Sequence, residues 1–452
     1  MTIAGMVMFL IIILRLLRHK DYDENRFYLF ILTVIVSIFI NIGYVFSFFK
    51  SYTYSEILMV ITVFYSIFGT KKITQKELFA IGFLLLSVIV ALANISINSS
   101  DAYIIPMSID IDDVTYGLKG AQHPKIGSGN ISSLLNLCVF ILFIVLNKDF
   151  FKNNKYSERI KQILDISFRY FFIIIILELI ISNLTSGVAA RSIINRIFGV
   201  VYEDKTYMRA PLRYGIYCAY GFFSEPSYCT KIIIYAFLLY IKESFTKWDM
   251  FFSILAVITL GVTGSASCYM LIPLIVCIAI YRGIYYRYGI IGKIIIISLC
   301  AVFVYLSLKF ISNIDISNSA KDSFVVKILS YINGKETMNS GYTRSMGNAR
   351  CYEVLKYNPL FGVGIGTTRG YSFNAGVIAN FGILGIAALL FFYKTLCNLK
   401  LKSNILKLVI VVMYFMAIWT VWDAYSPAII GILICFNKNN IKKVNEEDFI
   451  KV

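Results

Sequence analysis

Charge is scarce in this sequence. Asp, Glu, Lys and Arg make up 15% of its 452 residues, where soluble globular chains hold about 25%. Histidine is scarcer still: His19 and His123 stand alone and far apart. No C-x-x-C spacing occurs, and Cys138, Cys229, Cys268, Cys277, Cys300 and Cys435 sit inside apolar runs, where thiols behave as small hydrophobes. These absences argue against a metal centre, and no motif calls for a cofactor. Zinc-finger, RRM-like and helix-turn-helix patterns are missing, so nucleic acid is not an expected partner. No internal repeat or separate soluble domain is found, and 1–452 reads as a single domain.

What fills the chain is apolar: 58% of residues, with a mean hydropathy of +0.73. The excess falls into runs such as 27–49, 166–182 and 290–310. Runs of roughly 20 residues match a helix crossing about 30 Å of hydrocarbon. Without water to satisfy the backbone, such runs close their hydrogen bonds internally, as helices. They lack the alternation of barrel strands. The expected architecture is therefore an all-α polytopic membrane protein of about 12–13 transmembrane helices. Spans are placed at 2–17, 27–49, 54–69, 77–95, 129–147, 163–183, 216–241, 248–263, 266–281, 289–311, 373–393, 404–421 and 424–436. The first is read as a retained span, since it lacks the basic start and small-residue cleavage site of a signal peptide.

The net charge of +17 follows from the positive-inside rule. Alternate connections (15–26, 71–76, 148–161, 242–247, 282–293, 394–407 and 438–451) are short and basic, which puts the N-terminus outside and the C-terminus inside. Three outer loops are long: 97–128, 185–215 and 312–372. Loops beyond about 12–15 residues are usually functional or disordered. Apolar spacing in 312–372 predicts short helices, and 185–215 with 312–372 are expected to cap an active site.

The residues that can carry chemistry cluster there. The loop 185–215 holds Arg191, Arg196, Arg209 and Arg213, and the following run carries Glu225 before Pro226. An ionisable residue at membrane depth is by default a functional candidate, although Glu225 has a plainer reading as the partner of Lys231 or an arginine at a proline kink. The loop 312–372 holds Arg344, Arg350 and Glu353 ahead of Asn358-Pro-Leu-Phe-Gly-Val-Gly-Ile-Gly366. Arginine suits phosphate because its planar fork binds two oxygens at once and stays charged. The Gly-x-Gly-x-Gly stretch lacks the G-x-x-x-x-G-K-[ST] pattern and a preceding strand, which excludes a nucleotide loop. It reads instead as a tight turn that lets backbone approach substrate or another helix.

The stretches Gly221-Phe-Phe-Ser-Glu-Pro-Ser227 and Arg350 with Asn358-Pro-Leu-Phe-Gly-Val-Gly-Ile-Gly366 resemble those of the bacterial O-antigen polymerase (Wzy-type) and O-antigen ligase superfamily. The resemblance implies a GT-C-like fold in the bacterial inner (plasma) membrane, with the N-terminus periplasmic and the C-terminus cytoplasmic. It implies block transfer of undecaprenyl-diphosphate-linked repeat units of an O-antigen, capsule or exopolysaccharide at the periplasmic face, without metal. Membrane lipid and a chain-length-regulating co-polymerase are the further partners it implies. Arg209, Arg213, Arg344 and Arg350 are the expected diphosphate ligands, with Arg191 and Arg196 in reserve. Glu225 is the expected general base, with Glu353 second and Arg350 beside them in the catalytic set. A ligase of this superfamily carries a histidine in its large outer loop, and 312–372 has none, which points to polymerase. A lipid-linked glycan flippase is the alternative from another class, and a scaffold protein the third.

Overall fold

The computed structural model describes residues 2–40, 44–46, 52–69, 72–97, 103–104, 122–199, 212–213, 216–223, 247–263, 340–368, 372–397 and 425–436, with single positions at 210, 229, 232, 236 and 370. The expected spans 266–281, 289–311 and 404–421 lie outside these residues. Twelve helices are described: α1 (Ile3–Arg18), α2 (Tyr22–Phe39), α3 (Tyr54–Ile67), α4 (Gln75–Ile97), α5 (Ser128–Leu146), α6 (Asp149–Lys152), α7 (Asn154–Leu184), α8 (Ala189–Phe198), α9 (Lys247–Val262), α10 (Ser340–Tyr357), α11 (Phe373–Leu396) and α12 (Ala428–Phe436). Two antiparallel hairpins join them, β1 (Tyr44–Phe46) with β2 (Tyr52–Thr53), and β3 (Leu212–Arg213) with β4 (Ile216–Tyr217).

The described chain is mostly helical, and three of its helices are long and apolar enough to cross a membrane, in α4, α5 and α11. These helices and their neighbours are apolar on the outside as well as the inside. Phe64, Phe79 and Ile180 are exposed, while Phe30, Phe140, Phe143 and Phe172 are fully buried in one core shared by α2, α5 and α7. A continuous apolar exterior of this kind suits lipid rather than water.

Side-chain bonds sort the connections into two ends. At one end, Tyr22 Oη donates to the Tyr65 carbonyl (3.1 Å) and Ser66 Oγ to Asn147 Oδ1 (3.2 Å). There too, Arg159 Nη1 lies 2.9 Å from Glu24 Oε1 and Arg26 Nη2 lies 3.7 Å from Asp149 Oδ2. The short basic connections near residues 19–25, 66–77 and 147–159 therefore gather together. At the other end lie Thr2 against Tyr54, Tyr54 against the Phe198 carbonyl, Asn94 against Asn358 and Asn183 against Tyr217. Helices α1 to α5 and α7 thus run alternately between the two ends.

Two expected spans are corrected. The run 27–49 is not one helix. Asp21 caps α2 early by accepting from the Glu24 N–H at 3.0 Å, and the 18 residues Tyr22–Phe39 already reach about 27 Å. Ile40 turns extended (φ −117°), and the remaining apolar residues supply strand β1. Nor does 216–241 begin as a helix: Ile216–Tyr217 is strand and Cys218–Phe223 is irregular, with Gly221 at φ +62°.

Candidate functional site

The end that carries the long loops is built around two buried polar junctions. The first sits at the top of α7. Glu178 and Arg191 form an ion pair (Nη1 to Oε1, 3.1 Å) in which both side chains are 2% exposed. Arg191 also donates from Nη1 to the Gly221 carbonyl and from Nη2 to the Phe223 carbonyl, each at 2.7 Å. Glu178 Oε2 accepts from the Tyr220 N–H at 3.0 Å and the Gly221 N–H at 2.6 Å. The Tyr220 ring covers the guanidinium, whose carbon lies 4.0 Å from the ring centroid. Four backbone groups of one turn are thereby held by two side chains. This explains why 218–223 is not helical: the Tyr220 and Gly221 N–H groups bond a carboxylate and the Ala219 N–H bonds the Val262 carbonyl, instead of carbonyls four residues back.

The second junction is the glycine turn. Gly362, Gly364 and Gly366 have φ of +67°, +78° and +75°, a region open to glycine at little cost. Each faces a different helix. A Cβ at Gly362 would lie 2.3 Å from the Ala379 carbonyl of α11, one at Gly364 2.7 Å from Leu92 of α4, and one at Gly366 2.3 Å from Ser133 Oγ of α5. The expectation of a low-profile turn for close backbone approach holds here toward helices.

Asparagines lock the turn. Asn130 accepts from the Gly127 N–H (2.8 Å) at the start of α5 and donates to the Ile365 carbonyl (2.8 Å) and Thr367 Oγ1 (2.7 Å). Asn380 of α11 accepts from the Thr367 and Thr368 N–H groups and donates to the Thr368 and Gly376 carbonyls. Helix α11 is itself broken at Gly382 (φ +60°, ψ −173°). The turn fills the break: Ile383 and Leu384 donate to the Pro359 and Leu360 carbonyls at 3.0 and 2.9 Å.

Helix α10 packs on α11 and brings Arg344, Arg350 and Glu353 to this end. Arg350 Nη1 pairs with Glu353 Oε2 at 2.7 Å, both groups partly exposed. Arg196 is exposed in the last turn of α8. Arg213 belongs to β3. Arg209 and Glu225 lie outside the described residues. Arg191, expected as a reserve diphosphate ligand, is 1% exposed, with both terminal nitrogens committed to protein partners. The expected span 216–241 carries Glu225 in the sequence, and its described beginning, Ile216–Phe223, is strand and turn rather than helix. Glu178 escaped the sequence reading. The rule that singled out Glu225, an ionisable group within an apolar run, applies equally to Glu178 between Leu177 and Leu179.

No family model matches the sequence, and no curated protein matches it either.

Proposed function

We propose that the chain is a membrane glycosyltransferase that polymerises undecaprenyl-diphosphate-linked oligosaccharide repeat units at the periplasmic face of a bacterial inner membrane, through a polytopic, GT-C-like bundle of about 12–13 spans. The observation that carries this reading is the gathering, at one end of the bundle, of the described part of the first resemblance-bearing stretch and of the second: Tyr220–Phe223 is locked by buried bonds from Glu178 and Arg191, and 358–368 by buried bonds from Asn130 and Asn380 and a half-buried one from Asn94. The opposite end, with the basic short connections, is assigned to the cytoplasm by the positive-inside rule.

In this mechanism a hydroxyl of one lipid-linked unit attacks the anomeric carbon of another. The new glycosidic C–O bond forms as the bond to the diphosphate breaks, and undecaprenyl diphosphate leaves with the electron pair. Arg209, Arg213, Arg344 and Arg350 stabilise the charge growing on that diphosphate. Glu225 takes the proton of the hydroxyl, a contribution of about 10²–10⁴-fold for a well-placed base. Glu353, ion-paired with Arg350, orients that arginine and is the second choice as base.

A flippase is the second reading, because a discontinuous helix such as α11 is a feature of transporters. Here the break at Gly382 is filled by backbone of the glycine turn, which leaves its groups bonded within the protein. Purified protein in lipid vesicles with lipid-linked repeat units tests both. A polymerase makes longer glycans; translocation of units without longer glycans would reverse the assignment. Arg350→Lys keeps the charge and loses the fork, so normal polymer from that variant would remove Arg350 from the diphosphate site.

A further inference from the structure

The partly or fully buried cations of the bundle each face a carboxylate: Arg26 meets Asp23, Lys148 meets Glu77, Arg169 meets Asp165 and Arg191 meets Glu178. Arg15, in the last turn of α1, differs. It is partly buried, yet it forms no ion pair with any described residue, and its Nε is shielded from water without a hydrogen-bond partner. Its guanidinium carbon lies 5.1 Å from the centroid of the Tyr28 ring on α2. Tyr28 is partly buried as well, and its hydroxyl bonds no described residue. Together the two side chains close the inner end of the α1–α2 seam, whose core is apolar, with Ile12, Leu29 and Val36 packed in it. The helix dipole favours a cation at this end of α1, but a fully solvated one would serve it equally.

The outward flank of α1 continues the pattern. Val7, Ile11 and Leu14 are exposed, and steps of three and four residues carry this stripe on to Arg15 and Arg18, so all five share one side of the helix. Arg18 is exposed and has no ion pair with a described residue either. An apolar stripe that ends in two uncompensated cations matches the outline of a phospholipid, with an acyl chain on the stripe and the phosphate on the cations. The end concerned is the one assigned to the cytoplasm, where the leaflet is anionic and basic pockets between spans bind lipid head groups.

We propose that the inner end of the α1–α2 seam is a binding site for the phosphate of an anionic phospholipid, with Arg15 and Arg18 as its ligands and the Tyr28 hydroxyl as a further donor. The planar fork of Arg15 suits two phosphate oxygens. This inference goes beyond the polymerase reading and rests only on the chain spanning a membrane.

The test uses the purified full-length chain in non-ionic detergent, titrated with phosphatidylglycerol, phosphatidylcholine or soluble glycerol phosphate. Affinity is read from the rise in thermal midpoint, since a ligand of the folded state alone raises it. Wild type is expected to bind phosphatidylglycerol, and Arg15→Gln to bind it ~10-fold more weakly, as loss of a charge-assisted hydrogen bond implies. Arg18→Gln, at an exposed position, is expected to weaken binding in the same direction and decides the matter should Arg15→Gln not fold. Lys155→Gln removes the same charge from an exposed site at the same end and is expected to change nothing. Three results overturn the proposal: affinity for phosphatidylglycerol unchanged in the folded arginine variants; an equal loss in Lys155→Gln, which makes the effect one of general surface charge; or phosphatidylcholine bound as tightly as phosphatidylglycerol. Glycerol phosphate matching the lipid would overturn the lipid assignment and make the site one for soluble phosphate. None of these readouts requires glycan synthesis, so failure of the polymerase reading is told apart from failure here.

Discussion

The Val363 N–H donates to the Ala379 carbonyl at 2.7 Å, taking the place that the Ile383 N–H would fill in an unbroken α11. Ile383 donates instead to Pro359. The glycine turn and the broken helix thus complete each other, and neither is stable alone, because unsatisfied backbone groups in an apolar bundle cost several kcal/mol each.

Gly362→Ala is therefore expected to be severe. Its Cβ would lie 2.3 Å from the Ala379 carbonyl at a φ of +67°. The left-handed backbone alone costs about 1–2 kcal/mol, and the backbone clash adds to it. Gly82→Ala, with nothing within 4 Å of the new Cβ in the middle of α4, is expected to be stabilising by up to ~1 kcal/mol. Thermal midpoints of the two variants in detergent, compared with wild type, check the contrast.

Lys148 Nζ lies 2.6 Å from Glu77 Oε2 and donates equally closely to the Lys72 carbonyl. Both charged groups are buried. Removing one partner strands the other charge, an effect of roughly 3–5 kcal/mol, whereas replacing both by apolar residues is often neutral. Glu77→Leu should lower the thermal midpoint more than Glu77→Leu combined with Lys148→Leu. Equal losses would show that the pair contributes no mutual compensation.

Cys351 lies 1% exposed on the face of α10 packed toward α11, near Thr368. Burial pushes its thiol from the ordinary range up to about 12. The neutral thiol is thus favoured in the folded chain. The stabilisation is full below the unfolded thiol pKa, about 8.5, and is lost as pH rises from there toward 12. A maleimide at pH 7.5 should leave Cys351 unlabelled until the protein is unfolded, as peptide mass analysis would read. Rapid labelling of native protein would mean that α10 lifts off α11.

Glu178→Ala leaves the buried Arg191 charge without its carboxylate. By the same reasoning it should destabilise by roughly 3–5 kcal/mol and raise proteolytic susceptibility near 220–223. Limited proteolysis with mapped cleavage sites checks this, and an unchanged pattern would show that the turn keeps its shape without the pair.

The helical class was legible because the criterion is local: apolar runs of the right length in α4, α5 and α11 need no knowledge of neighbours. Short basic connections were equally legible, and 19–25, 66–77 and 147–159 do gather at one end. Helix ends were less so. Hydropathy gives no reason to stop α2 at Phe39, since Tyr44 and Phe46 are as apolar as the helix before them; an N-cap at Asp21 and the β1–β2 pairing made that choice. The two candidate stretches were recognisable as sequence, but Arg191 was assigned by chemistry alone. An arginine that faces a ligand and one that faces a buried glutamate have the same code in the chain.

Composition and periodicity determined by themselves that this protein is helical, membrane-like and basic at its short connections, since each property is summed over neighbouring residues. Tertiary structure alone decided which buried charge meets which: Glu178 with Arg191, Glu77 with Lys148, and three glycines each against a separate helix. Those pairings join residues from distant segments of the chain, and only the folded bundle, with no water to satisfy stray charges and amides, forces each to find its partner.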